Sequence, residues 1–156
     1  MTDTVRPIPD GYEGATPYLS IKGAADAIEF YKKAFGATEV MRMADQSGRI
    51  GHAEIRIGNA LVMLADEFPD MGFVSPKTLG GTPVGISLYV EDVDATVERA
   101  VEAGATLKRP VQNQFYGDRT AGLEDPFGHS WHFATHVEDV SSEEMHKRFE
   151  SAHGGS

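Results

Sequence analysis

The chain states one pattern twice. Tyr18-Leu19-Ser20-Ile21 leads into a helical stretch that ends at Phe35-Gly36-Ala37-Thr38, and Ser87-Leu88-Tyr89-Val90 leads into another that ends at Ala103-Gly104-Ala105-Thr106. Gly36 and Gly104 lie 68 residues apart and Ile21 and Val90 lie 69 apart, so a unit of roughly 70 residues recurs almost in register. A doubled unit makes the cavity of its sheet the first place to look for a ligand.

Each copy reads as strand, helix, then a run of strands. Ala24, Ala27, Ile28, Tyr31 and Phe35 fall at helical spacing, with Gly36 placed as a C-cap. In the second copy Asp92 and Asp94 sit at the positive end of a helix whose apolar stripe is Val93, Val97, Ala100 and Val101, ended by Gly104. In Gly51-His52-Ala53-Glu54-Ile55-Arg56-Ile57 the apolar residues alternate with polar ones, and Gly58-Asn59 turns the chain into Ala60–Leu64. Asp125-Pro126-Phe127-Gly128-His129 makes the matching turn into Ser130-Trp131-His132-Phe133.

The fold class expected is α+β, with two tandem βαβββ modules forming a curved, half-barrel mixed sheet and helices on its outer face. Module 1 covers about 12–66, a linker 67–83 and module 2 about 84–137, all in one domain of residues 1–140. Ser141-Ser142-Glu143-Glu144 resembles a capping box opening a short helix within 141–156, and Gly154-Gly155-Ser156 is expected to fray. Phe68, Met71 and Phe73 make the linker the candidate lid.

Composition narrows the partners. A net charge of −10, with 14 basic residues among 24 acids, disfavours nucleic acid and anionic membrane. The same charge suggests a cationic or planar aromatic ligand. Cysteine is absent, so any metal site must use His, Asp or Glu. The opening run Met1–Pro7 carries no apolar stretch of the kind a secretory leader uses, and the expected location is cytoplasmic.

The motifs Ala27-Ile28-Glu29-Phe30-Tyr31, Tyr89-Val90-Glu91-Asp92-Val93-Asp94 and Asp125-Pro126-Phe127-Gly128-His129 resemble those of the vicinal oxygen chelate superfamily. Gly51-His52-Ala53-Glu54, Phe115-Tyr116-Gly117-Asp118-Arg119 and Trp131–His136 resemble its PhnB-like, glyoxalase/bleomycin-resistance/dioxygenase subgroup. The resemblance covers about residues 12–140. It implies a fold shared by metal-dependent lyases, dioxygenases and isomerases and by metal-free binding proteins, and so does not choose among them.

The resemblance also implies where a metal would sit. Counting back five residues from Ile21 and Val90 reaches Thr16 and Gly85, and counting four past the hairpin glycines reaches Val62 and His132. Only His132 is a competent ligand, whereas a catalytic divalent ion generally takes about three from the protein. The expectation is therefore no cofactor, the alternative being one divalent metal at a displaced site of His52, Glu54, Glu124 and His132.

Strand parity aims Tyr18, Ser20, Ser87 and Tyr89 into the cavity and Leu19, Ile21, Leu88, Val90, Trp131 and Phe133 under the helices. Tyr116 offers a ring and an acid, and Arg119 either grips a carboxylate or phosphonate or pairs with a neighbouring acid. His129 reads as a turn residue and His136 as half of a surface ion pair. The ligand-binding candidates are thus Tyr18, Ser20, His52, Ser87, Tyr89, Tyr116, Arg119 and His132, with Glu54, Glu124 and Tyr116 as acid–base candidates if the chain is catalytic. The function expected is small-molecule binding by a homodimer. The alternative is a metal-dependent glyoxalase- or dioxygenase-type lyase or isomerase.

Overall fold

The computed structural model describes residues 4–154. The start of the Met1–Pro7 run and the expected fraying at Gly155 and Ser156 lie outside the described residues. The chain divides into two compact units, the first ending at Gly80 and the second beginning at Gly81.

The first unit runs β1 (Tyr18–Ile21), α1 (Ala24–Phe35), β2 (Thr38–Ala44), β3 (Ile50–Ile57) and β4 (Ala60–Asp66). Its open sheet has the order β1-β4-β3-β2, with β1 parallel to β4 and the other pairs antiparallel. The helical stripe read from the sequence becomes the core: Ala24, Ala27, Ile28 and Tyr31 are buried with Leu19, Ile21, Ala53, Ile55 and Leu64. Asp66 at the end of β4 accepts from the backbone N–H of Gly23, Ala24 and Ile50, so a distant carboxylate supplies the N-terminal cap that the local sequence lacks.

Residues 67–80 of the stretch read as a linker belong to this unit. They contain a 3₁₀ turn at Pro69–Met71 and the short α2 (Pro76–Leu79). The Glu67 carboxylate accepts from Ser75 N and Thr78 Oγ1.

The second unit repeats the first as β5 (Gly85–Tyr89), α3 (Val93–Ala103), β6 (Thr106–Asn113), β7 (Asp118–Glu124) and β8 (Ser130–His136), in sheet order β5-β8-β7-β6. Here too the first strand is parallel to the last and the other pairs are antiparallel. Leu123, Trp131 and Phe133 form the core under Val93, Val97 and Ala100. Val101, read as part of that stripe, is instead 43% exposed. The β7–β8 turn is organised by Asp125, whose Oδ1 accepts from Phe127 N and His129 N while Oδ2 accepts from Trp131 Nε1. Finally α4 (Ser142–His153) is held to this unit by Arg148, which donates to Phe115 O and Glu138.

Replacing Trp131 with Phe keeps an aromatic core residue but removes the indole N–H that donates to the buried Asp125 carboxylate. The expected loss is about 1–3 kcal/mol of unfolding free energy in a urea titration with unchanged slope.

Candidate functional site

Both sheets carry a helix on one face and side chains of mixed polarity on the other, and the ladder shows which positions correspond. In the first unit one row across the helix-free face reads Tyr18–Met63–Glu54–Met41. The corresponding row in the second unit reads Ser87–His132–Gly122–Arg109. The next row reads Ser20–Ala65 on β1 and β4, with His52 opposite Met43, against Tyr89–Ala134–Thr120–Gln112. Where one copy places an acid among methionines, the other places two basic side chains around a glycine.

This register corrects two readings. Val62 pairs with Ile55 and is buried in the helix-side core, so Met63 is the counterpart of His132. The first hairpin turns in two residues between Ile57 and Ala60 and the second in five between Glu124 and Ser130. Counting from the turn glycine therefore slips by one residue and changes face. Likewise Gly122, and not Glu124, is the counterpart of Glu54. Glu124 lies one row beyond His132 and does not line the cavity.

The second unit encloses a cavity of about 460 Å³, lined by Ser87, Tyr89, Tyr116, Asp118, Arg109 and His132, with Gln112, Gln114 and Thr120 between them. At one end two glycines clear the space. A Cβ at Gly85 would meet His132 Nε2 at 2.7 Å, and one at Gly122 would meet Arg109 Nε at 2.8 Å. The guanidinium of Arg109 donates to His132 Nδ1. Because Arg can only donate, that nitrogen accepts and the ring is neutral. Burial first, and then the Arg109 charge, push the His132 pKa down. Among the described residues of its unit, Arg109 makes no ion pair.

At the other end sits Asp118, 5% exposed. Its Oδ2 accepts from the Tyr89 hydroxyl at 2.6 Å and its Oδ1 pairs with His136 Nδ1 at 2.7 Å. Burial alone would raise its pKa, but the hydrogen bonds from Tyr89 and His136 outweigh it and hold the carboxyl low. His136 is pushed up by Asp118 first and then by Asp139. Four residues of β7 separate the two ends, a span of about 13 Å. The cavity therefore offers a cationic donor at one end and a carboxylate at the other.

The first unit carries a different arrangement. His52 Nε2 lies 2.9 Å from Glu54 Oε2, and His52 Nδ1 lies 2.7 Å from the Tyr18 hydroxyl. Tyr12 donates to the other Glu54 oxygen. The Tyr12 hydroxyl, followed by His52, holds the Glu54 pKa low against burial. Burial, and then the Glu54 charge, raise that of Tyr18. The Tyr18 ring borders a wide groove of about 900 Å³ with Met43, Arg49, Phe68, Met71 and Phe73.

Of the residues expected at a site, Ser87, Tyr89, Tyr116 and His132 share one cavity, and Tyr18, His52 and Glu54 share one hydrogen-bonded chain. Ser20 is buried in β1. Arg119 points away from the cavity: it grips Asp94 of α3 through Nε and Nη2 at 2.8 and 3.0 Å, the pairing alternative rather than the ligand one. Alternation explains it, since Asp118 and Thr120 line the cavity. The sequence pattern marks neither Arg109 nor Tyr12, and it marks Asp118 only as part of the Phe115-Tyr116-Gly117-Asp118-Arg119 motif. Irregular pairing on β6 puts Arg109 opposite Gly122 and Gln112 opposite Thr120, so two cavity residues stand three apart and break the two-residue period.

The residues do not fit the divalent metal that the resemblance implies. Gly85 has no donor and His132 occupies the space of its Cβ. Both Glu54 oxygens already accept hydrogen bonds. Within either unit, among the described residues, no three His, Asp or Glu side chains gather as a ligand set. No helix among them is long and apolar enough to cross a membrane.

The sequence pattern of the Glyoxalase/Bleomycin resistance protein/Dioxygenase superfamily matches residues 18–133. An uncharacterised protein of Mycobacterium bovis is 42% identical over 143 residues, covering 90% of this chain and 94% of the relative. Among solved structures, an Arabidopsis thaliana gene product is 27% identical with a TM-score of 0.62, covering 79% of this chain and 98% of that one. TioX from Micromonospora sp. ML1 is 24% identical with a TM-score of 0.62, covering 83% and 100%.

The His136–Asp118 pair gives stability a defined pH dependence. A histidine whose folded pKa is raised contributes stability fully present below its unfolded value of about 6.5 and lost as pH rises through the folded value. Melting temperature is therefore expected to fall across that window above pH 6.5, and His136→Gln to flatten the fall.

Proposed function

Because the chain belongs to the glyoxalase/bleomycin resistance protein/dioxygenase superfamily, we propose that it is a small-molecule-binding member that holds an anionic organic ligand in the cavity of its second unit, without a divalent metal. The observation that carries this reading is Arg109: a guanidinium with no carboxylate partner among the described residues of its unit, braced on a neutral His132 over two glycines. A carboxylate or phosphonate of the ligand completes that guanidinium bidentately. Tyr89 and Tyr116 flank the body of the ligand, and Asp118 receives a hydroxyl or amine at its far end. The net charge of −10 pointed to a cationic ligand, but the local charge beside His132 has the opposite sign and is the one a ligand meets.

The PhnB-like subgroup remains the finer assignment, supported by Gly51-His52-Ala53-Glu54 and Trp131–His136. The proposal includes a cytoplasmic homodimer that engages neither nucleic acid nor membrane, in keeping with the acidic composition.

Calorimetric titration with phenylacetate, benzylphosphonate and benzylamine tests the reading. The two anions are expected to bind and the amine to bind more weakly. Arg109→Gln is expected to cost about 1.5–3 kcal/mol, or roughly 10- to 150-fold in affinity for the anions. Preference for the amine, or unchanged affinity in the variant, contradicts it.

A further inference from the structure

One hairpin tip of the second unit is held more firmly than its place at the end of two strands explains. Residues 114–117 join β6 to β7 in a tight turn, in which Gly117 N donates to Gln114 O and Gln114 N donates to Asp118 O. Tips of this kind are ordinarily exposed and mobile. This one carries Tyr116, a wall of the cavity, and adjoins Asp118, the acidic end of it.

The restraint comes from the segment that follows the repeated pattern. Val137 N and Glu138 N both donate to Gly117 O. The two backbones approach so closely that a Cβ on Gly117, whose φ is +99°, would collide with Glu138 O. From α4, Arg148 donates through Nη1 to Phe115 O at 3.0 Å. The same guanidinium holds both oxygens of Glu138, at 3.2 and 2.8 Å, and reaches Glu144 through Nε. One planar fork thus ties the helix, the connecting segment and the turn together, a geometry that lysine does not reproduce. Phe149 and His153 of α4 place their rings 5.8 and 6.2 Å from that of Phe115, and Phe115 meets the Tyr116 ring edge-on at 5.2 Å. None of the residues of α4 is buried, so apolar burial anchors it little. Its contacts converge instead on the turn that carries Tyr116.

We propose that α4 belongs to the binding site of the second unit, with Arg148 as the positioning residue that holds Tyr116 in place as a wall for the ligand. The proposal rests on the reading of this cavity as a ligand site. Arg148 touches no ligand and acts through the turn: without it the Phe115 carbonyl loses its donor, Glu138 loses its cation, and the Tyr116 ring is no longer confined to one place.

A double-mutant cycle in the binding of benzylphosphonate, measured by calorimetry, is the test. Tyr116→Ala and Arg148→Gln are each expected to weaken binding about tenfold, and the double variant to bind no more weakly than Tyr116→Ala, because groups that act through one contact couple rather than add. Arg148→Lys is expected to behave like Arg148→Gln, since it keeps the charge and loses the fork. Lys147→Gln, an exposed neighbour in α4, is expected to leave the affinity intact. Carbon-13 NMR of the tyrosine rings gives a readout without ligand. Arg148→Gln is expected to shift the Tyr116 signals and to leave those of Tyr12 and Tyr18 in place. Unchanged Tyr116 signals, or losses that add in the double variant, overturn the proposal. A wild-type chain that binds no anion overturns the reading of the cavity, and the Tyr116 signals then still decide whether Arg148 positions that ring.

Discussion

Alternate residues of a strand point to opposite faces of its sheet, and each unit has one βαβββ helix to cover one face. Everything else depends on that mismatch. The helix side takes the apolar parity, Leu19, Ile21, Ala53, Ile55 and Leu64 in one unit and Leu123, Trp131 and Phe133 in the other. Burying these side chains supplies the main stabilisation of each unit. The other parity is left to carry polar groups, and those groups are free to diverge because the core does not depend on them.

Divergence is what the two rows record. Tyr18–Met63–Glu54–Met41 and Ser87–His132–Gly122–Arg109 occupy corresponding ladder positions with opposite charge. The substitution of glycine for Glu54's counterpart does more than delete an acid. It makes the room in which Arg109 lies across the strand and reaches His132. Where the acid is kept, its two oxygens are spent on Tyr12 and His52, so one copy shows a cation with no ion pair among the described residues of its unit and the other a carboxylate already held by two hydrogen bonds. Serine and tyrosine also exchange rows, Tyr18 matching Ser87 and Ser20 matching Tyr89, which moves the phenol from one end of the face to the other.

Much of the fold was legible because it rests on short-range rules. Helix α1 spans Ala24–Phe35 as its stripe and Gly36 indicate, and α3 starts after Asp92, which accepts from Ala95 N. The site was legible only where strand parity held. Tyr18, Ser87, Tyr89, His52 and His132 fall on the helix-free face as alternation demands. Arg109 was hidden by irregular pairing on edge strand β6, and Val62 was misplaced because the two hairpins differ in length. Tyr12 lies before any periodic segment and reaches Glu54 across 42 residues of sequence. None of these three facts leaves a periodic trace, since each is fixed by tertiary register rather than by neighbours in the chain.

The cavity of the second unit is polar along its length, with two histidines of the same strand in opposite states. His132 is kept neutral by burial and Arg109, and His136 is kept protonated by Asp118 and Asp139. Nitrogen-15 NMR of the imidazole rings at about pH 6.5, where an ordinary histidine is half protonated, tests this most directly. The expected result is a neutral His132 with an unprotonated Nδ1 and a protonated His136. A protonated His132, or a common titration of the two rings, contradicts it.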